Sequence, residues 1–240
     1  MGLKTKCRRS NSLRLHRMQI VRVKLAFLVD CTGSMGQWIQ AAKDQIEAIV
    51  EKTQREYANA DLRFQVAFVG YRDYGDEVPY EVIPFTSVEA FLAGMRGIEA
   101  TGGDDMAEDV AGGLQRVLDL DWADSDVRTL IHIADAPPHG LAYHAPHVSD
   151  RFPEGDPRGI DVTHCLRELA HDVDTTFIGL NRSTDLYIEK ALEAYRSVQK
   201  RSFVVADLRP QDTRFLTPIA MRTVSDSIQR HTASQDPAEE

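Results

Sequence analysis

Short apolar segments alternate with amphipathic segments along most of this chain, and that order restricts the fold more than any other feature of the sequence. The strand-like segments are residues 21–29, 63–70, 80–85, 128–134, 175–180 and 202–205. The segments with helical spacing of apolar residues are 36–57, 87–95, 107–119, 160–171, 185–195 and 212–229. Such alternation predicts an α/β fold, with a doubly wound, mostly parallel, Rossmann-like sheet and helices on both faces. Turn residues between 71 and 79 predict a hairpin, which makes one edge strand antiparallel.

The charge distribution divides the chain into a basic extension and an acidic body. Eight of the 28 basic residues and none of the 37 acidic residues lie in the first 24 positions. We expect residues 1–21 to be a disordered extension, residues 22–230 to form one domain, and residues 231–240 to be a polar tail. A body this acidic repels phosphate groups, which excludes nucleic acid as its partner.

Membrane and secretory signals are not recognisable in the sequence. The longest apolar run, 25–29, is far shorter than the roughly 18–20 residues of a membrane-spanning helix. The basic extension has no apolar stretch of the kind found in signal peptides. The three cysteines are too few and too scattered for a disulfide framework. These features predict a cytoplasmic protein, and they leave its oligomeric state open.

Oxygen-bearing side chains follow the carboxyl ends of the predicted strands. Asp30, Thr32 and Ser34 follow the first strand, Asp135 follows the strand 128–134, and Asp104 and Asp105 come after a glycine pair. The carboxyl ends of parallel strands meet at one edge of the sheet, where such folds bind ligands. Carboxylate and hydroxyl ligands favour Mg²⁺, with Mn²⁺ or Ca²⁺ as alternatives.

The sequence Asp30-Cys31-Thr32-Gly33-Ser34-Met35 resembles the DxSxS motif of von Willebrand factor A (VWA) domains. The resemblance extends over about residues 23–228 and includes the runs at 71–73, 102–105 and 134–140. It is strongest to VWA domains associated with alpha-type kinases. The resemblance implies a doubly wound sheet with a metal-ion-dependent adhesion site, or MIDAS. In that site Asp30, Thr32, Ser34 and Asp135 would hold the ion.

One position departs from the family pattern. VWA domains of the usual type carry a threonine in the loop that here reads Gly102-Gly103-Asp104-Asp105. Alignment on the glycine pair assigns Asp104 to that position, and alignment on the following helix through Glu108 assigns Asp105, so both remain open. In either case a carboxylate replaces a hydroxyl. We expect the extra charge to hold the ion more firmly and to weaken its attraction for a partner's carboxylate.

The predicted function is a metal-dependent protein-interaction module rather than an enzyme. The ion would offer a coordination position to a Glu or Asp side chain of a protein partner. One alternative is a purely structural ion with metal-independent partner binding. Another is a serine hydrolase that uses Ser34, although Thr32 stands where the tight nucleophile turn needs glycine.

Two further features of the loops have structural interpretations. Arg72 and Asp73 are predicted to form a local ion pair that orders the loop after the second strand. His139, His144 and His147 resemble a zinc site only weakly, because no regular ligand spacing connects them, and the family resemblance accounts for His139 alone.

Overall fold

Each apolar segment of the sequence forms a strand and each amphipathic segment forms a helix in the computed structural model, which describes residues 19–208 and 212–233. The strands are β1 (Gln19–Asp30), β2 (Ala60–Tyr71), β3 (Tyr80–Thr86), β4 (Val127–Ala134), β5 (Asp174–Gly179) and β6 (Phe203–Asp207). The helices are α1 (Gly36–Glu56), α2 (Val88–Met95), α3 (Val110–Leu118), α4 (Val162–Asp172), α5 (Asp185–Val198) and α6 (Leu216–Ala233). None of the helices in these two ranges is long and apolar enough to cross a membrane. Most of the predicted basic extension and of the polar tail lies outside the described residues.

The six strands form one sheet in the order β3-β2-β1-β4-β5-β6. All neighbouring strands are parallel except β3, which pairs antiparallel with β2 at the edge. This arrangement confirms the predicted α/β fold with one antiparallel edge strand. The strand order reverses between β1 and β4, and ligands of such sheets bind in the crevice at the carboxyl ends of the strands at that point.

The register of the central strands determines which loops meet at this crevice. Val29 of β1 lies opposite Ile133 of β4, so that Asp30 and Asp135 leave the sheet side by side. On the other side of β1, Asp30 lies opposite Tyr71 of β2. The loops after three neighbouring strands therefore start from the same edge of the sheet.

Strand β1 lies in the centre of the core and is buried on both faces. Its residues Leu25, Phe27 and Val29 pack into one apolar cluster, to which α1 and α6 contribute. The alternate residues Ala26 and Leu28 pack into a second cluster, to which α3, α4 and α5 contribute. Strands of parallel sheets are covered on both faces in this way, which explains the continuous apolar run in the sequence. The two clusters fix the edge of the sheet from which the site loops project.

The start of α3 differs from the prediction by three residues. Helical spacing predicted a start near 107, but α3 begins at Val110 because the carboxylate of Asp109 caps it, accepting a hydrogen bond from the Gly112 N–H (2.8 Å). The preceding residue, Glu108, forms an isolated β-bridge with Pro138 instead. Glu108 is thereby held out of the helix and beside the loop that follows β4.

Candidate metal centre

The loop between β1 and α1 is organised around the carboxylate of Asp30. Asp30 is fully buried, and its Oδ1 accepts hydrogen bonds from the Thr32 N–H (2.8 Å) and the Thr32 hydroxyl (2.7 Å). Its other oxygen, Oδ2, is buried and has no hydrogen-bond partner. Burial, with repulsion from Asp135 as the next cause, raises the pKa of Asp30 to about 7. A bound cation would satisfy Oδ2 and favour the ionised form.

The loop after β4 brings Asp135 to the same place. The Asp135 carbonyl accepts hydrogen bonds from the Asn181 side-chain amide and from the Ser183 hydroxyl (2.8 Å), both on the loop after β5. The Asp135 side chain is half-buried. Because its backbone is tied to a neighbouring loop, this carboxylate has a defined position next to Asp30.

A cavity of about 300 Å³ opens between these loops. It is lined by residues of four loops: Thr32, Gly33, Ser34, Gly102, Gly103, Asp105, Met106, Glu108, Asp135, Ala136, Asn181 and Ser183. Its walls are therefore mainly backbone, hydroxyl and carboxylate groups, which suit a hydrated cation better than an apolar ligand. No histidine is among the lining residues in the part of the chain that the structure describes.

The glycine pair holds the loop between α2 and α3, called the third loop below, tightly against the loop between β1 and α1, called the first loop. Gly102 and Gly103 both have positive φ (81° and 87°), a conformation that side chains rarely adopt. The Gly102 carbonyl accepts a hydrogen bond from the Gly33 N–H (3.3 Å), which joins the two loops. A side chain at Gly103 would also lie within 3.0–3.1 Å of Glu108 and Thr32. The absence of side chains here lets Glu108 approach the motif of the first loop.

The two aspartates of this loop are placed differently. The side chain of Asp104 is 68% exposed and forms an ion pair with Arg151 (3.1 Å). The structure does not place Asp104 among the residues that line the cavity. Asp105 lines it, half-buried, with Oδ2 accepting from the Arg151 N–H (2.7 Å) and with Oδ1 buried and unpartnered. Of the two aspartates, Asp105 thus has the position that a ligand needs.

Glu108 lies in the same cavity, although its position in the sequence did not predict this. It is 3% exposed, lines the cavity, and its Oε2 is buried without a hydrogen-bond partner. Burial, followed by repulsion from Asp30 and Asp73, raises the pKa of Glu108 to about 10. Two features of the sequence could have indicated this position. Glu108 immediately precedes the helix cap Asp109, and its loop also carries Asp104 and Asp105.

The predicted ion pair between Arg72 and Asp73 is wrong. The guanidinium of Arg72 pairs with Glu81 of β3 (2.8 Å), and it also donates to the carbonyls of Val78 and Glu99. Asp73 instead contacts His139. Residues adjacent in sequence leave a strand end in opposite directions, so their side chains reach different neighbours.

Comparisons with known proteins show to which sequences and folds this chain is similar. The family model of the von Willebrand factor A domain matches residues 24–144, which is half of the chain. The alpha-protein kinase vwkA of Dictyostelium discoideum is 36% identical over 150 residues, which cover 61% of this chain and 23% of that protein. The chain thus matches less than a quarter of the length of this curated relative.

Solved structures share the fold at low sequence identity. The open conformation of the pilus adhesin SpaC from Lactobacillus rhamnosus GG superposes with a TM-score of 0.53 at 12% identity, over 88% of this chain and 30% of SpaC. Proximal thread matrix protein 1 of the mussel byssus, in a structure with a zinc-occupied MIDAS motif, has a TM-score of 0.51 at 12% identity, over 85% of this chain and 46% of that one.

Proposed function

Because this chain belongs to the von Willebrand factor A domain family, we propose that it is a protein-interaction module whose binding surface is organised by a divalent cation. The proposed ligands are Asp30, Thr32 and Ser34 of the first loop, Asp135 of the loop after β4, and a carboxylate of the third loop. For this last position the exposure of the side chains favours Asp105 and Glu108 over Asp104. Mg²⁺ suits such an oxygen-only donor set, and Mn²⁺ or Ca²⁺ are the alternatives.

The observation that carries the proposal is the pair of buried oxygens without partners. Asp30 Oδ2 and Glu108 Oε2 belong to different loops, and both residues adjoin the same group of site residues. A buried polar atom without a partner costs about 1–3 kcal/mol, and more if it is charged. Two such atoms in one carboxylate-rich site fit a cation that satisfies both, and the chemistry of the donors fits the proposed ion.

The charge of the site bears on which of two forms this function takes. When bound, the cation would supply a Lewis-acidic position for a partner's Glu or Asp side chain. However, Asp30, Asp105, Glu108 and Asp135 together carry more negative charge than a divalent ion neutralises, and the excess repels an acidic partner. This charge excess favours, as a second candidate, an ion that only holds the loops while their surfaces bind the partner.

Catalysis by Ser34 has less support. A serine nucleophile needs a base within hydrogen-bond reach, most often histidine. The cavity that Ser34 lines contains no histidine within the described ranges. We therefore propose that Ser34 is a metal ligand.

Calorimetric titration of Mg²⁺ into the chelator-stripped chain tests the cation. We expect saturable binding that weakens at least about tenfold in Asp30→Asn, which keeps an acceptor for Thr32 but removes the charge. The matched control is Asp44→Asn, which neutralises an exposed carboxylate on α1, two turns from the site. Equal affinities for the wild type and Asp30→Asn, or no binding to either, would refute the proposed site.

Solvent relaxation distinguishes an ion that can accept a partner from a structural one. The chain loaded with Mn²⁺ should enhance the relaxation of water protons if a coordination position is open to solvent. Acetate, added as a stand-in for a partner's carboxylate, should then reduce this enhancement. An enhancement that acetate leaves unchanged would support the structural ion, since the position then does not accept a carboxylate.

The cellular setting is part of the same proposal. Cys31 and Cys165 are both buried and free, which agrees with a reducing compartment such as the cytoplasm. The proposed partner is a protein, and neither a nucleic acid nor a lipid bilayer is invoked.

A further inference from the structure

A buried histidine lies between two carboxylates next to the proposed cation site. His139 follows β4, and its side chain is 2% exposed. Its Nδ1 lies 2.6 Å from Asp150 Oδ1, and its Nε2 lies 2.7 Å from Asp73 Oδ1. Asp73 and Asp150 are themselves only 1% and 2% exposed. The three side chains form a buried row from the loop after β2 to the loop after β4.

Asp150 has the features of a residue that orients the histidine. Its Oδ2 accepts from the Gly140 N–H (2.8 Å) and lies 2.9 Å from His144 Nε2, and its Oδ1 also accepts from the Phe152 N–H (2.7 Å). A carboxylate with this many donors has little capacity left for an ion. It can keep a proton on His139 Nδ1, so that a cation bound at Nε2 would take the place of the proton between Nε2 and Asp73 Oδ1. Metal-binding histidines typically donate their second nitrogen to a carboxylate in this way.

Asp73 and Asp105 complete the group. One ligand atom each from Asp73, Asp105 and His139 lie within 4.8 Å of one another. Asp73 Oδ2 and Asp105 Oδ1 are both buried and have no hydrogen-bond partner. Around a tetrahedral zinc ion, ligand atoms are separated by about 3.4 Å, so that a small contraction of these loops would suffice. Two carboxylates with unsatisfied oxygens and an oriented imidazole are more than an accidental acidic cluster.

We propose that Asp73, Asp105 and His139 form a second divalent-cation site beside the site at Asp30, and that it selects a transition ion of the zinc class. Asp105 then belongs to this second site, and Glu108 is the third-loop carboxylate of the first. The imidazole nitrogen is the reason for this choice, since nitrogen ligands favour Zn²⁺ over Mg²⁺. Three protein ligands leave one tetrahedral position for water or a partner's side chain.

The surroundings of the histidine support an ordered site. The rings of Tyr74 and Phe152 pack against His139, each with its centroid 5.1 Å away. This aromatic wall excludes water from one side and strengthens the interaction between the imidazole, the carboxylates and a cation. Asp105 also lines the cavity of the first site, so the two sites share the loop that carries it.

Zinc titration of the full chain in an Asp30→Asn background tests this proposal, because that variant weakens cation binding at the first site. We expect one zinc ion to bind per chain, and the ring nitrogen resonances of one ¹⁵N-labelled histidine to shift. A second substitution, His139→Gln, should weaken this binding at least about 100-fold, because loss of a ligand costs more than the 10- to 100-fold loss for a second-shell partner. The matched control, His164→Gln, changes an exposed histidine on α4 and should leave zinc binding unchanged.

The melting temperature and a zinc titration of Asp105→Asn distinguish the loss of a ligand from the loss of folding. If His139→Gln lowers the melting temperature strongly, Asp105→Asn replaces it, since this half-buried carboxylate can be neutralised while the Arg151 N–H keeps an acceptor. The Asp105→Asn variant should also bind zinc more weakly than the parent chain. Absence of zinc binding in the Asp30→Asn background, or ring shifts that persist in the His139→Gln variant, would overturn the second site. Either outcome is independent of whether Mg²⁺ binds at Asp30.

Discussion

The buried carboxylate of Glu108 should lower the free energy of unfolding and, at the same time, favour the binding of a cation. Its carboxylate is buried beside Thr32 and Gly103 and has one oxygen without a partner. The raised pKa of Glu108, about 10, means that the folded chain holds this group protonated at neutral pH, at a cost in free energy relative to the unfolded chain. A cation at the site would remove that cost by favouring the ionised form.

The substitution Glu108→Gln should therefore have opposite effects on stability and on metal binding. In chelator at pH 7.5 we expect the variant to be more stable than the wild type by about 1 kcal/mol or more, because an uncharged amide replaces a group that must be neutralised. We expect its Mg²⁺ affinity to fall at least about tenfold. Urea unfolding and calorimetric titration measure the two effects. A variant that is less stable and binds Mg²⁺ as the wild type does would contradict this role.

At the scale of elements, helix α3 depends on close contact with the sheet. A side chain at Gly113 would lie 2.8 Å from the ring of Tyr71 on β2 and 3.0 Å from Leu28 on β1. The N-terminal end of the helix is held by Asp109, which accepts from Tyr74 and pairs with Arg158 of the loop after β4 (2.8 Å). Because Glu108 immediately precedes this cap, the packing of α3 also sets the position of the Glu108 carboxylate.

The substitution Gly113→Ala should destabilise the domain although alanine favours helices. Overpacking of a buried site costs about 1–3 kcal/mol, which outweighs the gain in helix propensity of about 1 kcal/mol. The control is Gly97→Ala, where a side chain would meet no atom within 4 Å and φ is not positive, so that we expect no loss. The midpoints of urea unfolding measure both, and equal midpoints for the two variants would show that α3 can shift without cost.

At the scale of the whole molecule, one buried histidine makes global stability depend on pH. His132 lies in the middle of β4, within 3.3–3.4 Å of the hydroxyls of Tyr71 and Tyr187. Its burial lowers its pKa from 6.5 to about 3. Below pH 6.5 the unfolded chain binds a proton that the folded chain does not accept until about pH 3. The free energy of unfolding should therefore decrease as the pH falls through this range.

The variant His132→Gln isolates this contribution. Unfolding in urea and chelator at several values between pH 7 and pH 4.5 gives the slope of stability against pH. A fully developed contribution of one proton is about 1.4 kcal/mol per pH unit, and the variant should lose a slope approaching this value. The carboxylates contribute equally to the slopes of the wild type and of the variant. The difference between the two slopes therefore reports the contribution of His132. Parallel slopes would show that His132 accepts its proton in the folded chain.

Local patterns in the sequence were sufficient to predict the fold and the chemistry of the loops. Apolar periodicity is local, so the segment of β1 and the helix after it could be recognised without any knowledge of their neighbours. The same holds for the motif from Asp30 to Ser34 and for Asp135, because parallel strands end at a common edge. The turn residues between 71 and 79 also predicted the antiparallel edge strand, and the structure confirms it as β3.

Which side chains meet at that edge depends on the packing of segments that are distant in sequence. Asp104 and Asp105 are equivalent in the sequence, yet one pairs with Arg151 at the surface and the other lines the cavity. Glu108 is buried because its backbone bridges to the loop after β4. Asp73 and His139 are 66 positions apart and contact each other only because β2 and β4 flank β1. Burial and such contacts depend on the packing of distant segments, which no local pattern of residues encodes.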